Sequence, residues 1–234
     1  MNTEEQSGAQ KEQTTHALFF ELEYVGTEKR RVEFESIQAA VKTKGLELSP
    51  VLFSRSEMSP LPRTAIGQIL RQAGKRADAI EKAVTMTEKE ITAFCEKTAE
   101  LKPGLEALIQ ATKKRGIPVV AFTALSENDA KNLMARLGLD ALGVELLIPD
   151  EVKDSFPRAD AWLKMLKKCD RESTTLVAVV SSQTACKGAL TAGAACIAVP
   201  DSFTAFQDFS GAKVVLDSLD EADPEELLDL TLRM

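Results

Sequence analysis

The sequence predicts an α/β fold: a Rossmann-like doubly wound parallel sheet with an inserted all-helical cap. Short apolar segments bounded by turn residues recur along residues 102–234 and alternate with amphipathic segments of helical length. Strands that are apolar throughout are typical of parallel sheets whose two faces are covered by helices. Residues 28–101, by contrast, show helical spacing of apolar residues and no convincing strand, which predicts a small helical bundle.

The first strand is predicted at the apolar run that begins at Ala17 and leads into Glu21 and Glu23. Side chains alternate between the faces of a strand, so two carboxylates two positions apart project to the same side. Ligands of open α/β sheets bind at the carboxyl ends of the strands, which is where this pair lies. The pair therefore indicates a cation site or a phosphoryl site, and a solvated strand end remains the alternative.

The helical segment comes next, with helices predicted near residues 32–45, 65–74, 76–84 and 87–99. Thr87 and Glu90 have the spacing of a capping box, which predicts that the last of these helices begins at Thr87. Since this segment leaves the sheet directly after the first strand, we expect it to lie over the strand ends.

The second half of the chain alternates regularly between the two element types. Helices are predicted at residues 105–115, 127–137, 159–168, 184–191 and 224–232, and strands at residues 117–122, 144–148, 176–180, 195–199 and 214–216. The carboxyl ends of parallel strands collect on one edge, so Thr123, Ser181 and Ser182 are expected beside Glu21 and Glu23. The sequence therefore predicts a covered pocket at that edge.

The composition excludes several classes of function. The net charge of −7 argues against a nucleic acid or an anionic membrane surface as the main partner. No apolar run approaches the roughly 18 residues that span a bilayer, and residues 1–15 read as a disordered tail without a secretory signal, so we expect a cytoplasmic protein. The four cysteines lack metal-ligand spacing and His16 is the only histidine, which disfavours a zinc site and Ser-His or Cys-His chemistry.

Four segments carry a resemblance to a known family. Residues 101–104, 116–123, 192–194 and 198–201 are similar to landmarks of the haloacid dehalogenase (HAD) superfamily, in its phosphatase and β-phosphoglucomutase branch with a helical cap. After the disordered tail that the composition predicts at residues 1–15, the resemblance implies an α/β core formed by residues 16–27 and 102–234 and a helical cap at residues 28–101.

The first catalytic motif of that family departs from its pattern here. The family has Asp-x-Asp-Gly, in which the first aspartate attacks phosphorus and the second is the general acid and base. Glu21 and Glu23 fall on these positions, and Tyr24 falls on the glycine. Glutamate keeps the charge but is longer by one methylene, and a misplacement of roughly 1 Å typically costs about 10²-fold in rate.

The remaining motifs are kept in part. Thr123 matches the second motif, and its hydroxyl with the Ala124 N–H is expected to bind a phosphate or another anion; the alternative is that Thr123 begins a capped turn. Phe156 stands at the position of the third-motif lysine, so Lys153 or Arg158 would have to replace that cation, although a solvated surface charge is the better reading of each.

The fourth motif normally supplies an acidic ligand of Mg²⁺, and Ser181 occupies that position. Serine is a poor replacement because Mg²⁺ prefers carboxylate oxygens. Asp150, Glu151 and Asp154 in the preceding loop could supply one, but an exposed acidic loop is the better interpretation.

The resemblance therefore implies a catalytically impaired or non-catalytic member, a pseudoenzyme with a binding or regulatory role. Its expected ligand is a small phosphorylated molecule or another anion, with no certain cofactor. The alternative is a Mg²⁺-dependent phosphoric monoester hydrolase or phosphomutase with Glu21 as nucleophile, Glu23 as acid and base, and both as weak metal ligands. Dehalogenation is a weaker option, since that branch also needs an aspartate nucleophile.

Overall fold

The computed structural model describes residues 16–43, 45–55, 59–74, 80–152, 156–169 and 175–232. These residues form a six-stranded, wholly parallel sheet in the order β3-β2-β1-β4-β5-β6, with helices on both faces. The strands are β1 (His16–Glu21), β2 (Val119–Phe122), β3 (Glu145–Leu147), β4 (Thr175–Val180), β5 (Ala195–Ala198) and β6 (Val214–Val215). The predicted fold class is thereby confirmed.

The helices follow the order expected of an α/β fold with one insertion. Those between β1 and β2 are α1 (Lys29–Lys42), α2 (Pro50–Ser54), α3 (Pro62–Gln72), α4 (Ile80–Ala93) and α5 (Leu105–Lys114), with a π-helical turn at Phe94–Thr98 after α4. The others are α6 (Glu127–Arg136), α7 (Ala159–Lys168), α8 (Gln183–Thr191) and α9 (Pro224–Leu232), with a 3₁₀ turn at Leu219–Glu221.

The central strand β1 separates two apolar layers. Leu18 and Phe20 pack into a layer with α5, α6 and α9, whereas Phe19 packs on the other face with Trp162 of α7 and with α8. All four side chains are fully buried. Because a strand buried on both faces cannot alternate apolar and polar residues, the sequence of β1 is apolar from Ala17 to Phe20.

The described residues between β1 and α5 form helices and no strand, and they have their own apolar cluster built on Ile37, Ile66 and Ile69. Phe203, which follows β5 in the chain, also packs into this cluster and contacts the rings of Phe34 and Phe53. The insert is thus held against the carboxyl edge of the sheet. The boundaries at 27/28 and 101/102 stay predictions, and the predicted tail lies outside the described residues.

One element prediction in the insert was wrong. The two helices expected at residues 76–84 and 87–99 are, within the described residues, the single helix α4 followed by the π-helical turn. Thr87 lies inside α4 and is fully buried, so it does not cap a helix start. Helix α2 was not predicted from the sequence. It begins at Pro50 and is capped by Ser49, whose side chain accepts a hydrogen bond from the Leu52 N–H.

Candidate functional site

Three adjacent strands bring the predicted site residues together. β1 pairs with β2 on one side and with β4 on the other, and their ends are nearly level, so Glu21, Thr123 and Ser181 meet at one edge. A cavity of about 40 Å³, partly open to solvent, lies there under the helical insert. Its lining includes Glu21, Glu23, Tyr24, Arg30, Phe122, Thr123, Ala124, Phe156 and Ser182.

Glu21, the last residue of β1, is 4% exposed and has one carboxylate oxygen fixed. Its Oε2 accepts hydrogen bonds from the Ser181 N–H at 2.6 Å and from the Ser181 hydroxyl at 2.7 Å. Burial raises the pKa of Glu21, although the charge of Arg30 and the two bonds from Ser181 act in the opposite direction. The carboxylate is therefore held against β4 in an environment that disfavours its charged form.

Glu23, in the turn after β1, is 2% exposed and has two unlike carboxylate oxygens. Its Oε1 accepts a hydrogen bond from the Ala124 N–H at 2.9 Å. Its Oε2 is buried and has no hydrogen-bond partner among the described residues. The sequence predicted that the Ala124 N–H would bind an external anion, and in the structure that donor is bonded to the protein's own carboxylate.

Thr123 lines the same cavity and is 1% exposed. Its hydroxyl oxygen accepts a hydrogen bond from the Leu125 N–H at 3.0 Å, which is the bond of a short turn at the end of β2. Thr123 is thus where the sequence places it, and the turn predicted as the alternative to anion binding is present.

Arg30, on α1 of the insert, reaches the edge of the sheet. It is 4% exposed, forms an ion pair with Asp201, and donates a hydrogen bond from Nη2 to the Ser181 hydroxyl at 3.0 Å. Its guanidinium carbon lies 4.2 Å from the centre of the Tyr24 ring, within the range of a cation–π contact. A fixed positive charge therefore lies beside Ser181, the position at which the family resemblance implies a metal-binding acid.

A second buried ion pair lies on the same helix. Lys29 is 2% exposed and pairs with Glu33, and its Nζ is 3.3 Å from the Tyr24 hydroxyl. Burial and the charge of Glu33 raise the pKa of Tyr24, so its phenol stays protonated. Tyr24, which takes the place of the family's glycine, thus packs against the two buried cations of α1, Lys29 and Arg30.

Sequence reasoning missed Arg30 and Lys29, although a signal was present. Lys29, Arg30 and Glu33 share with Ile37 the buried face of α1, at the three- and four-residue spacing of a helix. Charged residues that occupy the apolar positions of an amphipathic helix indicate buried ion pairs, because a lone buried charge is too costly.

The other predicted site residues do not line the cavity as described. Arg158 is exposed at the start of α7, and Asp150 is exposed and paired with Lys168. Glu151 is likewise exposed. Lys153 and Asp154 lie outside the described residues, so their predicted roles stay predictions.

The side chains present do not fit the Mg²⁺ that the fold family implies. Mg²⁺ requires near-octahedral oxygen ligands, one or two of them carboxylates. Here Oε2 of Glu21 already accepts two hydrogen bonds, and Ser181 stands where the fourth motif of the family has an acidic metal ligand. The positive charge of Arg30 lies beside Glu21 and Ser181. Within the described part of the chain, no three His, Cys, Asp or Glu side chains are grouped so that they could hold a metal ion.

None of the helices described is both long and apolar enough to cross a membrane.

Comparison with family models gave no match. The chain is 30% identical over 148 residues to the protein CbbY of Cereibacter sphaeroides, a match that covers 62% of this chain and 64% of that protein. It is 31% identical over 128 residues to a plasmid CbbY of Cupriavidus necator, covering 53% and 50%. Each match therefore spans less than two thirds of the relative.

Solved structures match over most of the chain. CbbY from Rhodobacter sphaeroides in complex with phosphate has a TM-score of 0.73 at 21% identity, over 89% of this chain and 96% of that one. β-Phosphoglucomutase from Clostridium difficile has a TM-score of 0.74 at 14% identity, over 94% and 98%. At such identities the likeness shows a shared fold.

Proposed function

We propose that this chain does not transfer phosphoryl groups. Its fold and its sequence relatives nevertheless point to the HAD superfamily, in its phosphatase and phosphoglucomutase-like branch. Its cavity beneath the helical insert serves instead as a binding site for a small molecule, in a binding or regulatory role. The observation that carries the proposal is the Arg30 guanidinium, paired with Asp201 and bonded to Ser181 beside Glu21.

The physical reason is the charge that phosphoryl transfer develops. Catalysis of that reaction consists almost entirely of positioning and of neutralising charge on the transferred group, and Mg²⁺ supplies much of the latter. A guanidinium already engaged by Asp201 and Ser181 is not free to follow a phosphoryl group. Loss of one well-placed stabilising group typically costs about 2.7–4 kcal/mol of transition-state stabilisation.

Glu21 is also poorly prepared to act as a nucleophile. Attack on phosphorus needs an ionised carboxylate with a free oxygen in line with the leaving group. Burial raises the pKa of Glu21, and its Oε2 is held by the Ser181 N–H and hydroxyl. The remaining oxygen sits one methylene further from the backbone than an aspartate would place it.

Phosphorylated ligands are known in the related structures. CbbY from Rhodobacter sphaeroides has been solved with phosphate, and a mutant of it with xylulose-(1,5)bisphosphate. These complexes support the prediction of a small phosphorylated molecule or another anion, and Arg30, Ser182 and Thr184 line the cavity here. An anion at the Ala124 N–H, however, would first have to displace the Glu23 carboxylate.

The proposal is tested by hydrolysis of p-nitrophenyl phosphate by the purified full chain with Mg²⁺. We expect no turnover above the buffer rate, and no difference between the wild type and Glu21→Gln. Turnover that disappears in Glu21→Gln and persists in Glu90→Gln, a matched change at an exposed position of α4, would overturn the proposal.

The alternative, a Mg²⁺-dependent phosphatase or phosphomutase with Glu21 as nucleophile, has one observation in its favour. Glu21, Glu23 and Thr123 line one cavity, as that chemistry requires. Calorimetric titration with Mg²⁺ separates the two functions. Saturable heat that is lost in Glu21→Gln supports the alternative, whereas a titration indistinguishable from dilution supports the proposal.

A further inference from the structure

We infer that the ligand of this cavity carries a protonated amine, held by the Glu23 carboxylate between aromatic side chains. The inference rests on the proposed function, in that it takes the cavity to be a binding site rather than a catalytic one. It concerns the chemical class of the ligand, and it stands as the alternative to the phosphorylated molecule or other anion that the complexes of the structural relatives support. Three observations carry it: the local charge, an unpartnered oxygen, and the walls of the cavity.

The charges described around the cavity do not balance. Glu21 and Glu23 are the acidic residues of the described lining and Arg30 is its one base, and Arg30 is already paired with Asp201, which lies outside the lining. The neighbouring Lys29 is neutralised by Glu33. A phosphate would add further negative charge to this excess, whereas an ammonium group reduces it. Protonation of Glu21 lessens the excess without reversing its sign.

Glu23 shows where the positive group would bind. Oε1 is satisfied by the Ala124 N–H, but Oε2 is buried without a partner among the described residues, on a residue that is 2% exposed and lines the cavity. A buried carboxylate oxygen without a donor is costly, and a charged donor satisfies it best. An ammonium group offers three donors and a full positive charge.

The cavity walls favour an organic cation over a hydrated metal ion. Tyr24, Phe122 and Phe156 line the same space as Glu21 and Glu23. Aromatic faces attract ammonium groups through the ring quadrupole, and apolar walls accommodate a carbon chain. Mg²⁺ gives up its water reluctantly and gains nothing from such walls. The combination of acids and rings therefore indicates an alkylamine rather than a metal.

The anion position is also filled from within. The Ala124 N–H, at which the sequence predicts a phosphate, donates to Glu23. Arg30 in turn is engaged by Asp201 and Ser181. Two of the donors that could bind an anion are thus already bonded to the protein itself, whereas the buried Oε2 of Glu23 has no donor among the described residues.

The test is a set of titrations of the ¹⁵N-labelled full chain, followed by the amide resonances of Ala124 and Ser181. The probes are n-butylammonium, the isosteric neutral n-butanol, and inorganic phosphate. We expect saturable shifts with n-butylammonium and at least about tenfold weaker effects with n-butanol, because a charged hydrogen bond is lost. Phosphate is expected to leave both resonances unchanged.

Variants then assign the contact to Glu23. Glu23→Gln should weaken n-butylammonium binding about tenfold or more, and exposed Glu90→Gln should not change it. The wild-type comparison of amine with alcohol decides the matter even if Glu23→Gln does not fold. Equal binding of the two probes, or saturable binding of phosphate without the amine, would overturn the inference.

These outcomes are independent of the activity assay. Turnover of an aryl phosphate together with amine binding would overturn the non-catalytic role and leave the ligand class intact. Absence of turnover together with absence of amine binding would overturn the ligand class and leave the non-catalytic role intact.

Discussion

At the scale of single residues, Glu21 links the site to the stability of the fold. Burial raises its pKa above the ordinary glutamate value of 4.5. A carboxyl group whose pKa is raised on folding contributes its stabilisation fully below the unfolded pKa and loses it as the pH rises through the folded pKa. Ionisation of Glu21 therefore lowers the free energy of unfolding of the wild type as the pH rises, and a side chain that does not ionise avoids this loss.

We predict that Glu21→Gln becomes more stable relative to the wild type as the pH rises above about 4.5. Glutamine can still accept the hydrogen bonds from Ser181 and does not ionise. The difference in the free energy of unfolding should grow with a limiting slope of about 1.4 kcal/mol per pH unit until the folded pKa is passed. Urea unfolding at a series of pH values measures it, and Glu90→Gln should show a flat difference. A Glu21→Gln difference that is flat or falls with pH contradicts the prediction.

At the scale of elements, α8 depends on a close approach to the segment that precedes α7. A Cβ added to Gly188 would lie 2.5 Å from the Pro157 carbonyl oxygen and 3.0 Å from the Arg158 Cα. These are backbone atoms, so neither can turn aside as the end of a long side chain would. Pro157 and its neighbour Phe156 also line the cavity, which places this contact next to the site.

We predict that Gly188→Ala lowers the free energy of unfolding by about 1–3 kcal/mol, because overpacking outweighs the better helix propensity of alanine. Gly67→Ala in α3 is the matched control, since its Cβ would meet only the ends of the Ile80 and Arg71 side chains, at 3.2 and 3.8 Å. That control should be neutral or stabilising by up to about 1 kcal/mol. Urea denaturation of both variants provides the measurement, and equal effects would contradict the prediction.

The elements also show what local sequence could and could not reveal. Strands and helices after residue 102 were predictable because a short apolar run bounded by turn residues indicates a buried strand, whereas helical spacing of apolar residues indicates an amphipathic helix. The break expected before Thr87 was wrong because a threonine followed by Glu90 imitates a cap, while Thr87 is in fact buried inside α4. Only the tertiary packing of the insert distinguishes the two.

Some features of the candidate site could likewise be predicted from the sequence, and others could not. Convergence of Glu21, Thr123 and Ser181 was predictable, because neighbouring parallel strands end at one edge. The contact of Arg30 with Asp201 joins residues 171 positions apart, and no local pattern relates them. Likewise, the bond from the Ala124 N–H to Glu23 Oε1 joins residues 101 positions apart, and no local pattern relates these either.

At the scale of the whole molecule, a buried ion pair and an apolar cluster help to join the helical insert to the sheet. Arg30 on α1 pairs with Asp201 after β5, and both side chains are largely buried, at 5% and 12% exposure. Phe203 follows Asp201 and packs into the apolar cluster of the insert. An apolar contact and a buried ion pair two residues apart thus hold the insert over the cavity, so insert and sheet should unfold together.

We predict that Arg30→Met lowers the free energy of unfolding by about 3–5 kcal/mol, because it leaves a buried Asp201 without its partner. Adding Asp201→Asn should recover part of that loss, since the uncompensated charge is then removed. Arg63→Met, which breaks the exposed pair with Glu81 inside the insert, should cost within about 1 kcal/mol. Urea unfolding measures all four proteins.

Two probes show whether the ion pair also makes the molecule cooperative. The single tryptophan, Trp162, lies in the α/β core, whereas far-ultraviolet circular dichroism reports the helices of insert and core together. The two transitions should coincide in the wild type and in Arg63→Met, and should separate in Arg30→Met as the insert loses its polar attachment. Coincident transitions in Arg30→Met would assign the coupling to the Phe203 cluster instead, and an unchanged midpoint would show that the pair contributes no net stability.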